Sequence, residues 1–80
     1  MTQSDAVALF AEVLDMDDIV ADDNFFDLGG NSILALSLVA EIESRWGVAL
    51  SLIDIIRAPT PAAMAGLIIR ARDGGQVTGA

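Results

Sequence analysis

Apolar residues recur along this chain at spacings of three and four, and nowhere alternate with period two. The pattern therefore predicts helices and no strand. Val7, Phe10, Ala11 and Leu14 form one buried stripe over a first helix, Ala6 to Leu14, with Ser4 or Asp5 available as its cap. "DMDDIVADDN" breaks that stripe. The connection from Asp15 to Asn31 is long for so small a domain, yet Ile19, Phe25, Phe26 and Leu28 supply apolar anchors. Phe26 and Leu28 are the two expected to be buried most. A short turn is predicted near Asn24 to Asp27, and Gly29 and Gly30 allow backbone angles closed to other residues. Asp27 is expected to order this loop through local backbone hydrogen bonds rather than to do acid-base work.

The second stripe predicts a helix from Ser32 to Trp46. Ala35, Leu38, Val39, Ile42 and Trp46 face the core, Glu41, Ser44 and Arg45 face largely away, and Gly47 ends the helix. Ile33, Leu36 and Ala40 fall on or beside the outward face, where solvent would favour polar groups. A short third helix is predicted at Leu52 to Arg57, with Val48 and Leu50 tying the preceding loop to the core. Pro59 stops it. Thr60 then caps a last helix that opens on Pro61 and runs to about Arg72, with Met64, Leu67 and Ile68 inward. Arg70 and Arg72 suit its C-terminal dipole. From about residue 73, "DGGQVTGA" reads as a frayed polar tail. The chain is thus expected to be one all-α domain over 1–80: four helices, three long and one short, with a long loop between the first two.

Composition narrows what such a domain can do. Eighty residues cannot hold both a full core and a deep cleft. Cysteine, histidine and tyrosine are all absent, which removes thiolate metal sites, the commonest metal ligand and the usual general base. Although 54% of residues are hydrophobic, no apolar run approaches the ~20 residues of a membrane span. The opening "MTQSDAVALFAEVLDMDD" lacks the basic start of a signal peptide, so a cytoplasmic location is the default expectation. Net charge is -8, from 12 acids against four arginines, and eight of those acids lie between Asp5 and Asp27 with no base among them. This field would repel nucleic acid and anionic membrane and attract a basic protein surface; the alternative is that it only keeps an apolar small domain soluble.

One hydroxyl stands out within "DNFFDLGGNSILAL", residues 23–36: Ser32, where loop becomes helix. A hydrolytic serine needs a base and an orienting group, and "LGGNS" is not a Gly-x-Ser-x-Gly elbow. Ser32 could simply cap the helix, but so could Asn31. A nucleophile also need not be activated by its own chain, if another enzyme brings the base and the electrophile.

"FFDLGGNSILAL" resembles the attachment motif of phosphopantetheine-bearing carrier proteins, most closely the thiolation, or peptidyl carrier, domains of nonribosomal peptide synthetases. "WGVAL", with Trp46, Gly47, Val48 and Leu50, is similar to the family segment after the second helix. "IIRAPTPAAMAGL" resembles its Leu-Phe-x-x-Pro-Thr-x-x-x-Leu-Ala segment, with Ile55 and Ile56 as the apolar pair and Pro59, Thr60, Met64 and Ala65 in place. The likeness spans roughly Val7 to Ile69. It implies the four-helix carrier fold and no catalysis by the chain itself. A phosphopantetheinyl transferase would move 4'-phosphopantetheine from coenzyme A to Ser32, flanked by Gly30, Asn31 and Ile33. The arm's thiol would then carry an aminoacyl or acyl group as a thioester. Asn31 departs from the histidine or aspartate commoner at its position.

The resemblance also implies partners: the transferase, an adenylating or other acyl-loading enzyme, and condensation or tailoring enzymes. Leu28, Ile33, Leu36, Ala40 and Ile53 are the candidate docking residues. The alternative for Ile53 and Leu36 is that they fold back into the core. The span from Met1 to a point soon after the last helix suggests a free-standing carrier, and a monomer is expected. Two other readings are an acyl carrier of a polyketide-type pathway and a helical docking module that carries no arm.

Overall fold

Thr2 and Asp5 close the first turn on each other. The Asp5 amide donates to Thr2 Oγ1 at 3.1 Å, and the Thr2 amide donates to Asp5 Oδ2 at 3.0 Å. In the computed structural model, which describes residues 2–73, this box opens helix α1, Gln3–Leu14. The helix therefore starts earlier than Ala6, and its cap is Thr2 rather than Ser4 or Asp5. A reciprocal box requires a hydroxyl followed three residues later by an acceptor, and Thr2 with Asp5 meets that spacing. The remaining elements are α2, Ser32–Trp46, α3, Leu52–Arg57, and α4, Pro61–Asp73. Among the described residues all regular structure is helical, so the chain has the expected all-α, four-helix architecture with one short helix.

Helix α1 packs against both α4 and α2, and α2 packs against α3. Being covered on two sides widens the buried arc of α1. Ala6, Leu9 and Phe10 are buried, while Val7, Ala11 and Leu14 are only half-buried at its margin. Leu9 was absent from the expected stripe because a single 3.6-residue stripe assumes one neighbour. From α2, Ala35, Leu38 and Ile42 enter the core, with Val39 and Trp46 at its border. Gly47 ends α2 at φ +69°, and its amide donates to the Glu43 carbonyl at 2.9 Å. A left-handed residue here is costly for any side chain with a Cβ.

The short α3 is set by another box, in which the Ser51 amide donates to Asp54 Oδ2 at 2.9 Å. Ile55 points into the core and Val48 anchors the loop before it. Thr60 Oγ1 accepts from the Ala63 amide at 3.1 Å, so Thr60 caps α4 as its sequence predicts. Pro61, Met64, Ala65 and Ile68 are buried, and Leu67 is half-buried. The expected fraying of "GGQVTGA" lies outside the described residues.

Arg45 joins the outer edges of α1 and α2. Its guanidinium donates to Glu12 at 2.7 Å and to Glu41 at 3.0 Å. The hydrogen bond from Arg45 holds the Glu12 carboxyl below its ordinary range. A depressed carboxyl stabilises the fold above its unfolded value and loses that contribution as pH falls through the folded one. The pair faces solvent, so salt screens it and its contribution is small. No helix among the described residues is long and apolar enough to cross a membrane.

Candidate functional site

The loop that delivers Ser32 is organised by Asn24. Its Oδ1 accepts from the amides of Phe26, at 2.9 Å, and Asp27, at 3.3 Å, and its carbonyl accepts from Leu28 at 3.1 Å. Asn24, not Asp27, therefore supplies the side chain that orders this turn. The Asp27 carboxylate is exposed and makes no hydrogen bond among the described residues. An asparagine two residues ahead of the amides it binds is an Asx turn, and that signal was present in "DNFF".

Phe25 is the buried anchor, with no exposed surface, while Phe26 and Leu28 are half-buried. This reverses the expected order, and the backbone explains why. The Phe25 amide donates to the Pro59 carbonyl at 2.7 Å, which draws this residue beneath the α3–α4 junction. Its ring meets Phe10 edge-on at 5.3 Å, and Phe26 stacks edge-on against it at 5.4 Å.

The two glycines serve different needs. Gly29 has φ +100°, a conformation that favours glycine. Gly30 needs space rather than an unusual angle. A Cβ on it would lie 2.5 Å from two carbons of the Phe25 ring and 2.6 Å from the Phe25 carbonyl oxygen. The Gly30 amide donates to that same carbonyl at 3.0 Å, which fixes the close approach. Gly30→Ala is therefore expected to lower stability by about 1–3 kcal/mol through overpacking. For a domain of this size that is a fall of at least roughly 4 °C in the thermal midpoint, read by circular dichroism.

Immediately after the glycines, Asn31 Oδ1 accepts from the Leu34 amide at 3.0 Å and the Asn31 carbonyl accepts from Ala35 at 2.8 Å. Asn31 is thus the N-cap of α2 and Ser32 is its first helical residue. Ser32 is exposed, and its hydroxyl makes no hydrogen bond among the described residues. Of the two residues able to cap, the neighbour has taken the role and left the serine uncommitted. The first-turn amides of α2 favour negative charge beside that hydroxyl. An exposed hydroxyl next to helix-start amides fits a phosphodiester. The described residues offer no base hydrogen-bonded to Ser32 and no cluster suited to a metal ion.

Ile33 is 76% exposed, Leu36 55% and Ile53 53%, and Ala40 is also exposed. At 100° per residue, Ser32, Ile33, Leu36 and Ala40 share one arc of α2. Neither Leu36 nor Ile53 folds back into the core. Leu28 differs, because its side chain packs partly against the core and serves the loop as much as the surface. Ile56, 51% exposed, was read only as half of an apolar pair with Ile55. Ile55 takes the inward position of this short helix, and the 100° step to the next residue turns Ile56 toward solvent.

The family model described as "Phosphopantetheine attachment site" matches residues 5–68. A dimodular nonribosomal peptide synthase of Bacillus subtilis is 47% identical over 57 residues, which is 71% of this chain and 2% of that protein. Solved structures are similar as well, two of them as follows. The peptidyl carrier protein in complex with the phosphopantetheine transferase Sfp and coenzyme A gives a TM-score of 0.81 at 28% identity, covering 86% of this chain and 90% of that one. The A-PCP structure of McyG, complexed with phenylalanyl-adenylate, gives 0.78 at 33% identity, covering 82% of this chain and 10% of that one. The chain thus spans only a small part of the synthetases it matches.

Proposed function

The chain belongs to the phosphopantetheine attachment site family, and from that premise we propose that Ser32 is the hydroxyl through which it works as a peptidyl carrier protein. The observation that carries this reading is the exposed Ser32 hydroxyl, released from capping by Asn31. Ser32 Oγ forms an ester bond to the phosphorus of the pantetheine phosphate of coenzyme A. The phosphoanhydride bond breaks and adenosine 3',5'-bisphosphate leaves. The proton goes to a base of the transferase, since Ser32 has none beside it. Once attached, the arm supplies a thiol that holds an aminoacyl or acyl group as a thioester.

The chain's own residues hold and present. Gly30 lets the loop close on Phe25, Asn31 fixes the start of α2, and the first-turn amides favour the phosphodiester. The chain catalyses nothing; it is the substrate of the transferase and of an adenylating enzyme. Ile33, Leu36, Ala40 and Ile53, with Leu28 at the margin, form the surface those enzymes touch. A small apolar patch steered by acids elsewhere on the chain suits brief contacts that form quickly and release. Leu36→Arg is expected to leave the stability within about 0.5 kcal/mol of the parent, as a surface change does. It should slow aminoacyl loading of the arm-bearing chain, and equal loading rates would remove Leu36 from the docking surface.

Intact-mass analysis tests the reading itself. Incubated with coenzyme A and a broad-specificity phosphopantetheinyl transferase, the chain should gain one phosphopantetheinyl group. A folded chain that gains none would instead be a helical docking module without an arm.

A further inference from the structure

All the positive side chains of this chain are arginines, four in number. Arg45 is held by Glu12 and Glu41. Arg57 and Arg70 instead rim a shallow groove between α3 and α4, floored by Ala58, Ala63, Gly66 and Leu67. Neither arginine forms a salt bridge among the described residues. Asp54 also lines the groove, but its Oδ2 accepts from the Ser51 amide at 2.9 Å and from Ser51 Oγ at 3.2 Å. It is therefore turned toward the start of α3. The groove is locally cationic on a chain whose net charge is -8.

Gly66 is a separate observation at the same place. It lies inside α4, where glycine weakens a helix relative to alanine. A Cβ on it would meet nothing within 4 Å. Packing within the chain therefore does not require glycine there. What the missing side chain does provide is a lower groove floor, across which a second backbone can approach.

We propose that the α3–α4 groove docks an acidic segment of a partner polypeptide, with carboxylates meeting Arg57 and Arg70 and a small apolar side chain lying over Gly66. A free anion would use the guanidiniums but leave the apolar floor uncovered. A neutral helix would use the floor and leave two unpaired cations. The groove is lined by neither Ser32 nor Ile33, Leu36 or Ala40, so it can be occupied while the Ser32 arc is in use. Solvent-exposed charge pairs make this a weak, salt-sensitive contact.

The test uses the unmodified chain, so its result does not depend on Ser32 carrying an arm. The nitrogen-15-labelled protein is titrated with a helical probe peptide of repeated Glu-Ala-Ala-Leu units, with the matching Gln peptide, and with inorganic phosphate. The Glu peptide should give saturable amide shifts confined to residues 54–58 and 63–70, weakened by salt. The Arg57→Gln, Arg70→Gln double variant should melt like the parent and bind about fivefold more weakly. Gly66→Ala should raise the melting temperature by roughly 2–8 °C and weaken peptide binding. The proposal is overturned by the absence of saturable shifts, by equal shifts with the Gln peptide, by the same shifts with phosphate, or by Gly66→Ala lowering the melting temperature.

Discussion

Ser32→Ala is expected to fold and melt like the parent while acquiring no phosphopantetheine, and Asn31→Ala to melt lower while still being modified. The separation follows from which residue caps α2. Asn31 Oδ1 accepts from the Leu34 amide at 3.0 Å, so its removal leaves a helix-start donor unsatisfied. Losing such a cap costs about 1 kcal/mol, or roughly 4–8 °C in a domain of this size. Ser32 is exposed and makes no hydrogen bond among the described residues, so its truncation removes no interaction within the fold. Alanine is also a good helix former, and a stability change within about 0.5 kcal/mol is expected. Loss of modification is complete, because Oγ is the atom that forms the new bond. Thermal melts and intact masses of both variants check this. A marked stability loss in Ser32→Ala would mean that the hydroxyl is structural.

Phe25→Ala should have the largest effect on folding. A buried phenylalanine truncated to alanine costs about 3–5 kcal/mol. Domains hold only about 0.05–0.15 kcal/mol of net stability per residue, which for this length is about 4–12 kcal/mol in all. The variant is expected to lose a large share of that, and at the low end to unfold. The damage is concentrated where it matters for the site. The Phe25 ring fills the space against Phe10 and beneath Gly30, and its backbone ties the loop to Pro59. Phe26→Ala should cost distinctly less, since that ring is half-buried. Urea melts read both: the midpoint should fall far for Phe25→Ala and modestly for Phe26→Ala. The reverse order would contradict the packing described above.

The parts of the fold that were legible in the sequence are those fixed by neighbours along the chain. Helices α2 and α3 begin and end where the apolar period, Gly47 and Pro59 place them, and α4 opens on Thr60 and Pro61. These signals act over three or four residues, the distance at which capping and helix termination operate. What was not legible depends on contacts between distant segments. Phe25 outranks Phe26 because Pro59, far along the chain, accepts its amide. Gly30 is required by the Phe25 ring packed against it, which no backbone rule reveals. Two local features were readable and were assigned to the wrong residue: Thr2 in the first capping box and Asn24 in the site loop.

Ser32 itself shows both limits. Its motif and its place at the helix start were evident in "LGGNS". Whether its hydroxyl was free was not, because two adjacent residues could each have capped α2. The answer required the side-chain geometry of Asn31, and it is what turns a resemblance into a chemical statement about one oxygen atom.

Tandem mass spectrometry of the chain after treatment with coenzyme A and a phosphopantetheinyl transferase reads that oxygen most directly. One phosphopantetheinyl group is expected, carried by fragments that contain Ser32 and by no fragment that lacks it, whichever of Ser4, Ser37, Ser44 or Ser51 that fragment holds. An unmodified Ser32 in a folded chain, or an arm attached to any other serine, would contradict it.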